Sequence, residues 1–357
     1  MRLRRIIGVL AAASLAMVVG LPAAGSAARG LVAPVSAGPP QPLPVKHLDL
    51  NGFFPGTTQI HVGDSVRFSI NGFHTVTFLA AGQKLPAPII PGAGTLVSGQ
   101  LDAAGAPFWF NGQPKQIINP TAALPSGSRR YNGSGFLNSG LPVPSLPPAP
   151  FVVKFTKAGK FSFNCIVHPG MRGTVRVLPK RKHVPSAARD RLAAAEQAES
   201  AVAAATALAK VKPPTATVFA GNDSGAVTWL RFFPENLKVK VGTPVEFKLV
   251  SRREIHTVTI GPAAYTTAIE SSFTTPELNL NGPPTLVVNP RGAYPSDPPP
   301  LPAFNGANHG NGFEGTGILA GGGPLPSSAR ITFTKPGVYR YECVVHSEMD
   351  GKITVTK

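Results

Sequence analysis

The chain is poor in residues that staple or anchor a protein. It has two cysteines, two tryptophans and four methionines in 357 residues, and two of those methionines fall in the first 17 positions. So few cysteines exclude a disulfide-dense scaffold, and the one disulfide open to an exported chain would have to join Cys165 to Cys343. Beyond the N-terminal run no stretch is long and apolar enough to cross a bilayer, so no transmembrane segment is expected once the leader is removed. Acidic side chains are scarce, 17 against 34 Lys and Arg, for a net charge of +17. The deficit is uneven: residues 30–178 carry 11 basic and 3 acidic groups, residues 179–213 carry 7 and 3, and residues 214–357 carry 12 and 11. Interleaved basic and aromatic residues are missing, which argues against nucleic acid as a partner.

The first residues supply what the rest lacks. Met1-Arg2-Leu3-Arg4-Arg5, an apolar run from Ile6 to Leu21 and the small residues Gly25-Ser26-Ala27-Ala28 have the regions of a secretory signal, so residues 1–28 are expected to direct export and be removed. The expected location is extracytoplasmic: secreted, periplasmic or associated with the cell envelope. There the basic first half suits an anionic envelope surface or an acidic partner protein.

Landmarks recur at one large offset. Phe53-Phe54-Pro55 and Gly63 return as Phe232-Phe233-Pro234 and Gly242, 179 residues later. An offset of that size means that a whole domain is duplicated. The resulting expectation is a domain over residues 29–179, a linker over 180–213 and a second domain over 214–357.

The cysteines and the remaining methionines belong to this repeat. Cys165-Ile166-Val167-His168-Pro169-Gly170-Met171 and Cys343-Val344-Val345-His346-Ser347-Glu348-Met349 have the same spacing at an offset of 178. Upstream of each stands a histidine in the same context, His74 in Phe73-His74-Thr75-Val76-Thr77 and His256 in Ile255-His256-Thr257-Val258-Thr259, at an offset of 182. A thiolate, two imidazoles and a thioether are the donor set of a type 1 copper site, a His₂Cys plane with a long axial Met. Taken singly, a buried Cys or Met is ordinary core. Their joint recurrence in a chain with no other cysteine makes His74, Cys165, His168, Met171 and His256, Cys343, His346, Met349 two candidate copper sites.

Short alternating segments separated by Gly and Pro flank these strings, such as Phe151–Phe155 and Gly159–Asn164 in the first half and Ala329–Phe333 and Gly337–Glu342 in the second. They predict an all-β protein of two tandem Greek-key β-sandwiches. Long inserts rich in Gly and Pro, residues 79–148 and 261–326, interrupt both. Ile118-Asn119-Pro120 matches Val288-Asn289-Pro290, and Gly133–Leu137 matches Gly315–Leu319, so the inserts are expected to be structured. Residues 186–210 are alanine-rich between Pro185 and Pro213-Pro214 and predict a helical linker, either a solvated spacer or packed through its alanines.

The Gly-aromatic-x-aromatic-x-Cys-x-x-His-x-x-Met-x-Gly endings and the His-Thr-Val-Thr segments resemble the cupredoxins, the plastocyanin- and amicyanin-like blue-copper electron carriers. The resemblance covers the strand-rich parts of both halves and not the inserts or the linker. It implies one type 1 copper per domain, two in all, electron exchange with redox partner proteins, and no catalytic residues. Thr75 and Thr257 stand where the family often has Asn, and Val167 and Val345 where it often has Pro, leaving N–H groups that could donate to sulfur. Storage or delivery of copper would use the same ligands. Multicopper oxidases and nitrite reductases need further histidines; here Asn164 and Glu342 precede the cysteines and no His-x-His occurs, so enzymatic activity is not expected. Arg172 flanks the first string, and Glu342, Glu348 and Asp350 flank the second, so the second site is expected to have the lower potential.

Overall fold

The computed structural model describes residues 30–142, 149–278, 284–322 and 325–357, and the expected leader lies outside them. Residues Leu31–Lys357 form one compact unit. It is all-β in class, built of two sandwiches of paired five-stranded sheets and a fifth, four-stranded sheet. Among the described residues no helix is long and apolar enough to cross a membrane.

In the first sandwich one sheet runs Phe53–Phe54, Val32–Ala37, Ser65–Ile70, Phe151–Phe155, Arg130–Tyr131. It faces a second running Leu137–Asn138, Thr77–Phe78, Gly159–Asn164, Arg172–Leu178, Thr57–His61. Alternation sets the faces: in Ser65–Ile70, Val66 and Phe68 point inward while Arg67 and Ser69 are exposed, as a period of two requires. Phe68, Phe78, Phe155 and Phe163 fill the interior, with Phe68 and Phe163 edge to face at 5.1 Å. Each such ring contributes about 1.5–3 kcal/mol by leaving water.

The second sandwich repeats the plan. Thr217–Ser224 pairs in parallel with Pro244–Leu249 as Val32–Ala37 does with Ser65–Ile70, and Asp350–Thr356 pairs in parallel with Asn236–Lys240 as Arg172–Leu178 does with Thr57–His61. Its core is built on Phe232, Phe247, Phe333 and Tyr341. One strand is exchanged between the halves: Leu48–Leu50, from the first half, adds to the edge of the second half's sheet by pairing with Val227–Phe233.

The linker forms a helix over Ala187–Leu208, started by the Ser186 hydroxyl, which accepts from the Arg189 N–H. Of the two arrangements open to it, the structure takes the packed one. Ala194, Ala198 and Ala205 are buried against Leu48, Leu50, Phe54, Trp229 and Phe233, residues of both halves. Methyl side chains let the helix lie close, and the Trp229 indole N–H donates to the Ala205 carbonyl at 2.9 Å.

The inserts meet one another. Ile89–Leu96 and Pro114–Ile118 from the first and Thr274–Glu277 and Thr285–Val288 from the second make a four-stranded sheet, joined across the halves at Ile117 and Val287. Asn119 and Asn289 cap matching helical turns, Pro120–Ala123 and Pro290–Ala293, as their shared motif suggested. The second expected match is out of register. The equivalent of Thr316-Gly317-Ile318 is Ser139-Gly140-Leu141, since the Val76 and Val258 N–H groups donate to the Ser139 and Thr316 hydroxyls at 2.9 and 3.0 Å. His309 clamps the inserts together, its ring nitrogens 3.2 Å from Asp102 and 2.9 Å from Asp297.

Candidate metal centres

Each cysteine string is the turn between two adjacent antiparallel strands, Gly159–Asn164 with Arg172–Leu178 and Gly337–Glu342 with Asp350–Thr356. The turns are closed by their own backbone. The Cys165 N–H donates to the Met171 carbonyl at 3.0 Å and the Met171 N–H to the His168 carbonyl at 3.1 Å; the second turn has the same bonds at 2.9 and 3.3 Å. Cys165, Met171, Cys343 and Met349 are thereby held in the buried ends of the two cores.

The upstream histidines fold back to meet these turns. His74 Nδ1 lies 2.9 Å from His168 Nδ1, and Cys165 Sγ lies 3.5 Å from His168 Nδ1. In the second half His256 Nδ1 lies 3.1 Å from His346 Nδ1, and Cys343 Sγ is 3.7 Å from each. His74 and His256 are wholly buried, and their Nε2 atoms have no hydrogen-bond partner. Gly38 and Gly221, at φ +85° and +70°, pass against those Nε2 atoms, where any Cβ would collide with the ring. Each imidazole therefore has one polar direction, toward the other histidine and the thiol. Two facing imidazole nitrogens beside a thiol need a shared proton or a cation between them. Either three-residue group, His74 with Cys165 and His168 or His256 with Cys343 and His346, could hold a metal ion, all its donor atoms lying within 4.8 Å of one another.

The electrostatics suit a cation. Burial alone would push the Cys165 thiol up, but hydrogen bonds and charge from His168 and His74 outweigh it and hold it at about 5. Cys343 is held well below the usual thiol range, again against burial, by His256 and His346. The thiolate is the metal-binding form of cysteine, so both sulfurs are prepared as ligands.

The two threonines brace the turns. The Ile166 N–H donates to the Thr75 hydroxyl at 2.8 Å, and the Val344 N–H to the Thr257 hydroxyl at 2.9 Å. The Thr75 and Thr257 N–H groups each point at the neighbouring sulfur from 3.4 Å. The expectation that the Val167 and Val345 N–H groups would donate to sulfur is not met among the described residues. Threonine supplies that donor from the segment that follows each upstream histidine and leads into Thr77–Phe78 or Thr259–Ile260.

One residue of both sites was not foreseen. Glu254 is buried between the two centres, with Oε1 3.1 Å from His168 Nε2 and Oε2 3.4 Å from His346 Nε2. Burial works against its charge, yet His168 and His346 hold its carboxyl well below the usual range. Burial likewise opposes charge on the two imidazoles, and Glu254 with the cysteines raises each to about 10. Beside it Arg253, half-buried, lies near Gly170 of the first turn and feels the charges of Asp223, Cys165 and Glu254. A sequence signal for this turn exists. The repeat offset is 179 at Gly63 and Gly242 but 182 at His74 and His256, so three additional residues precede His256.

No family model and no curated protein matches the chain. Solved structures similar to it include a mutant plastocyanin of fern at 18% identity, covering 39% of this chain and 99% of that one, with a TM-score of 0.20. Also similar are a purple cupredoxin from Nitrosopumilus maritimus at 19%, 39%, 98% and 0.20, and auracyanin B at 21%, 41%, 94% and 0.24.

Proposed function

We propose that the protein is an exported electron carrier with two type 1 copper sites, His74, Cys165, His168 and Met171 holding one ion and His256, Cys343, His346 and Met349 the other. The observation that carries this reading is the repeated convergence of two Nδ1 atoms on a thiolate-forming cysteine inside a turn that also brings up a methionine. Bound copper supplies a one-electron couple. The chain's part is to keep the donors where they are. The turns are fastened at both ends and braced by threonine, and glycine backbones pin the upstream imidazoles, so little can rearrange when the charge at the site changes. Seven of the eight ligand residues are buried and only the His346 side chain, 16% exposed, reaches solvent, which disfavours ready exchange of the ion and so favours a carrier over delivery or storage. We assign no catalytic residue. The partners are redox proteins, of acidic character where they meet the basic first half, in the envelope or outside the cell.

The test is to express the chain with copper, count the metal and record absorption and redox cycling. Two copper ions per chain, an intense blue or purple thiolate band and reversible bleaching on reduction are expected. A colourless protein, or rapid loss of copper to a mild chelator, would refute the carrier reading. Oxygen uptake with a phenolic donor would revive an oxidase.

A further inference from the structure

We propose that Glu254 joins the two centres into one electron-exchanging unit, its carboxylate bridging His168 and His346; this rests on the reading of both sites as copper centres.

The geometry runs without a gap. Each imidazole turns Nδ1 to its own cysteine and partner histidine and Nε2 to the same carboxylate. From Cys165 through His168, Glu254 and His346 to Cys343 every contact is polar and joins side chains that are buried, except that of His346, which is 16% exposed. The Glu254 side chain is only 8% exposed, so solvent has little access to the carboxylate between the rings. When metal occupies Nδ1, a neutral imidazole carries its proton on Nε2, and both rings can then donate to one carboxylate. An electron lost at one site is gained at the other, no bond is made or broken, and both protons stay on their Nε2 atoms.

The support around Glu254 is built for position. The Asn51 side chain, buried and brought by the exchanged strand, donates from Nδ2 to Glu254 Oε1 at 2.6 Å and lies 3.1 Å from the Thr228 hydroxyl. Arg253 Nη1 donates to the Asn51 carbonyl at 3.2 Å. The Asp223 carboxylate gathers the Ser251 hydroxyl and the Arg252 and Arg253 N–H groups, and the Glu254 N–H donates to the Ser251 hydroxyl at 3.1 Å. A contact that served only to glue the halves together would be served as well or better by apolar side chains, since a buried ion pair rarely gains over them. What an apolar pair cannot provide is a single group hydrogen-bonded to both rings.

The full chain with both coppers bound is compared with Glu254→Leu, Glu254→Asp and Glu254→Gln. Absorption and copper count come first: if the unaltered protein binds no blue copper, the proposed function fails, and the bridge with it. With both sites blue, one-electron pulse reduction is followed by transient absorption as the electron redistributes. We expect redistribution to slow at least tenfold in Glu254→Leu and Glu254→Asp, the latter too short to span both rings, and less in Glu254→Gln, which keeps one contact. In copper-free protein, NMR should show slowly exchanging Nε2–H signals from both His168 and His346 that disappear together in Glu254→Leu. Should Glu254→Leu fail to fold or load, the Asp and Gln variants carry the comparison. Unchanged redistribution in a variant with two intact blue sites, or Nε2–H signals insensitive to Glu254, would overturn the proposal.

Discussion

Thr75→Val removes one oxygen atom and keeps the shape of the side chain, which makes it a clean probe of the turn's bracing. The hydroxyl accepts the Ile166 N–H at 2.8 Å, lies 3.1 Å from the Thr77 hydroxyl and reaches Cys165 Sγ at 3.9 Å. Thr75 is fully buried, so no water can replace the lost acceptor. Leaving the Ile166 N–H unpaired costs about 1–3 kcal/mol, and the lost bond to Thr77 adds about 1 kcal/mol, for a total of about 2–4 kcal/mol. Thr77 keeps its own bond to Asn138 at 2.8 Å, so its hydroxyl is not left without a partner. Urea unfolding of the copper-free protein followed by circular dichroism should show the midpoint falling with an unchanged slope. Thr257→Val should lose nearly as much, since the Val344 N–H bond has the same length within 0.1 Å while its contact with Thr259 is longer at 3.5 Å. A loss below about 0.5 kcal/mol in both variants would refute threonine as the brace.

The second site should have the lower potential, because Glu342, Glu348 and Asp350 adjoin its turn while Arg253 reaches the first. One unit charge about 8 Å away at an effective dielectric of about 40 contributes about 1 kcal/mol, or about 45 mV, so Arg253→Gln should lower the first site's potential by that order in a redox titration, and a reversed order would sink the argument. Glu314, which belongs to neither candidate ligand set, gives a separate pH dependence. Burial first, then Asp297, raises its carboxyl to about 7, so its stabilising effect is full below about pH 4.5 and is lost as pH rises through 7. The loss amounts to about 3 kcal/mol. Glu314→Gln should therefore gain stability over the parent between pH 5 and pH 8, and parallel melting curves at the two pH values would contradict this. Gly221→Ala would drive a methyl into the His256 ring and should abolish colour at the second site alone, leaving one copper per chain.

The sequence was most legible where chemistry and spacing coincide. The cysteine strings, the upstream histidines and the alternation of Ser65–Ile70 each carry a pattern that a fold must respect. Much less could be read where pairing depends on a neighbour from far along the chain. Leu48-Asp49-Leu50 alternates, but three residues of alternation do not say which sheet they will join, and they cross to the other half. Ile89–Leu96 contains a proline and two glycines and shows no strand period, yet it pairs with Pro114–Ile118 because the insert of the other half completes the sheet. The insert register is hidden for a related reason: the letters align Gly133-Ser134-Gly135 with Gly315-Thr316-Gly317, whereas the structural equivalence rests on a hydroxyl, Ser139 or Thr316, that accepts from the same N–H. The thiolate's backbone donor is the threonine after the upstream histidine and not a residue of the turn, a matter of tertiary placement that spacing within the turn cannot reveal.

Glu254 shows why the duplication is unequal where it matters. In the first half three residues, Asn71, Gly72 and Phe73, lead from the strand ending at Ile70 to His74; in the second, six lead from Leu249 to His256. The longer turn, gathered on Asp223, is what delivers Arg253 and Glu254 to the meeting point of the halves. A second such turn in the first half would bring a second carboxylate to face the first across the same pair of imidazoles. Two buried like charges at that distance would repel, and one would have to take up a proton and give up its role as an acceptor. One carboxylate between two histidines satisfies both ring N–H groups with a single buried charge, and an unequal repeat is the arrangement that supplies one and not two.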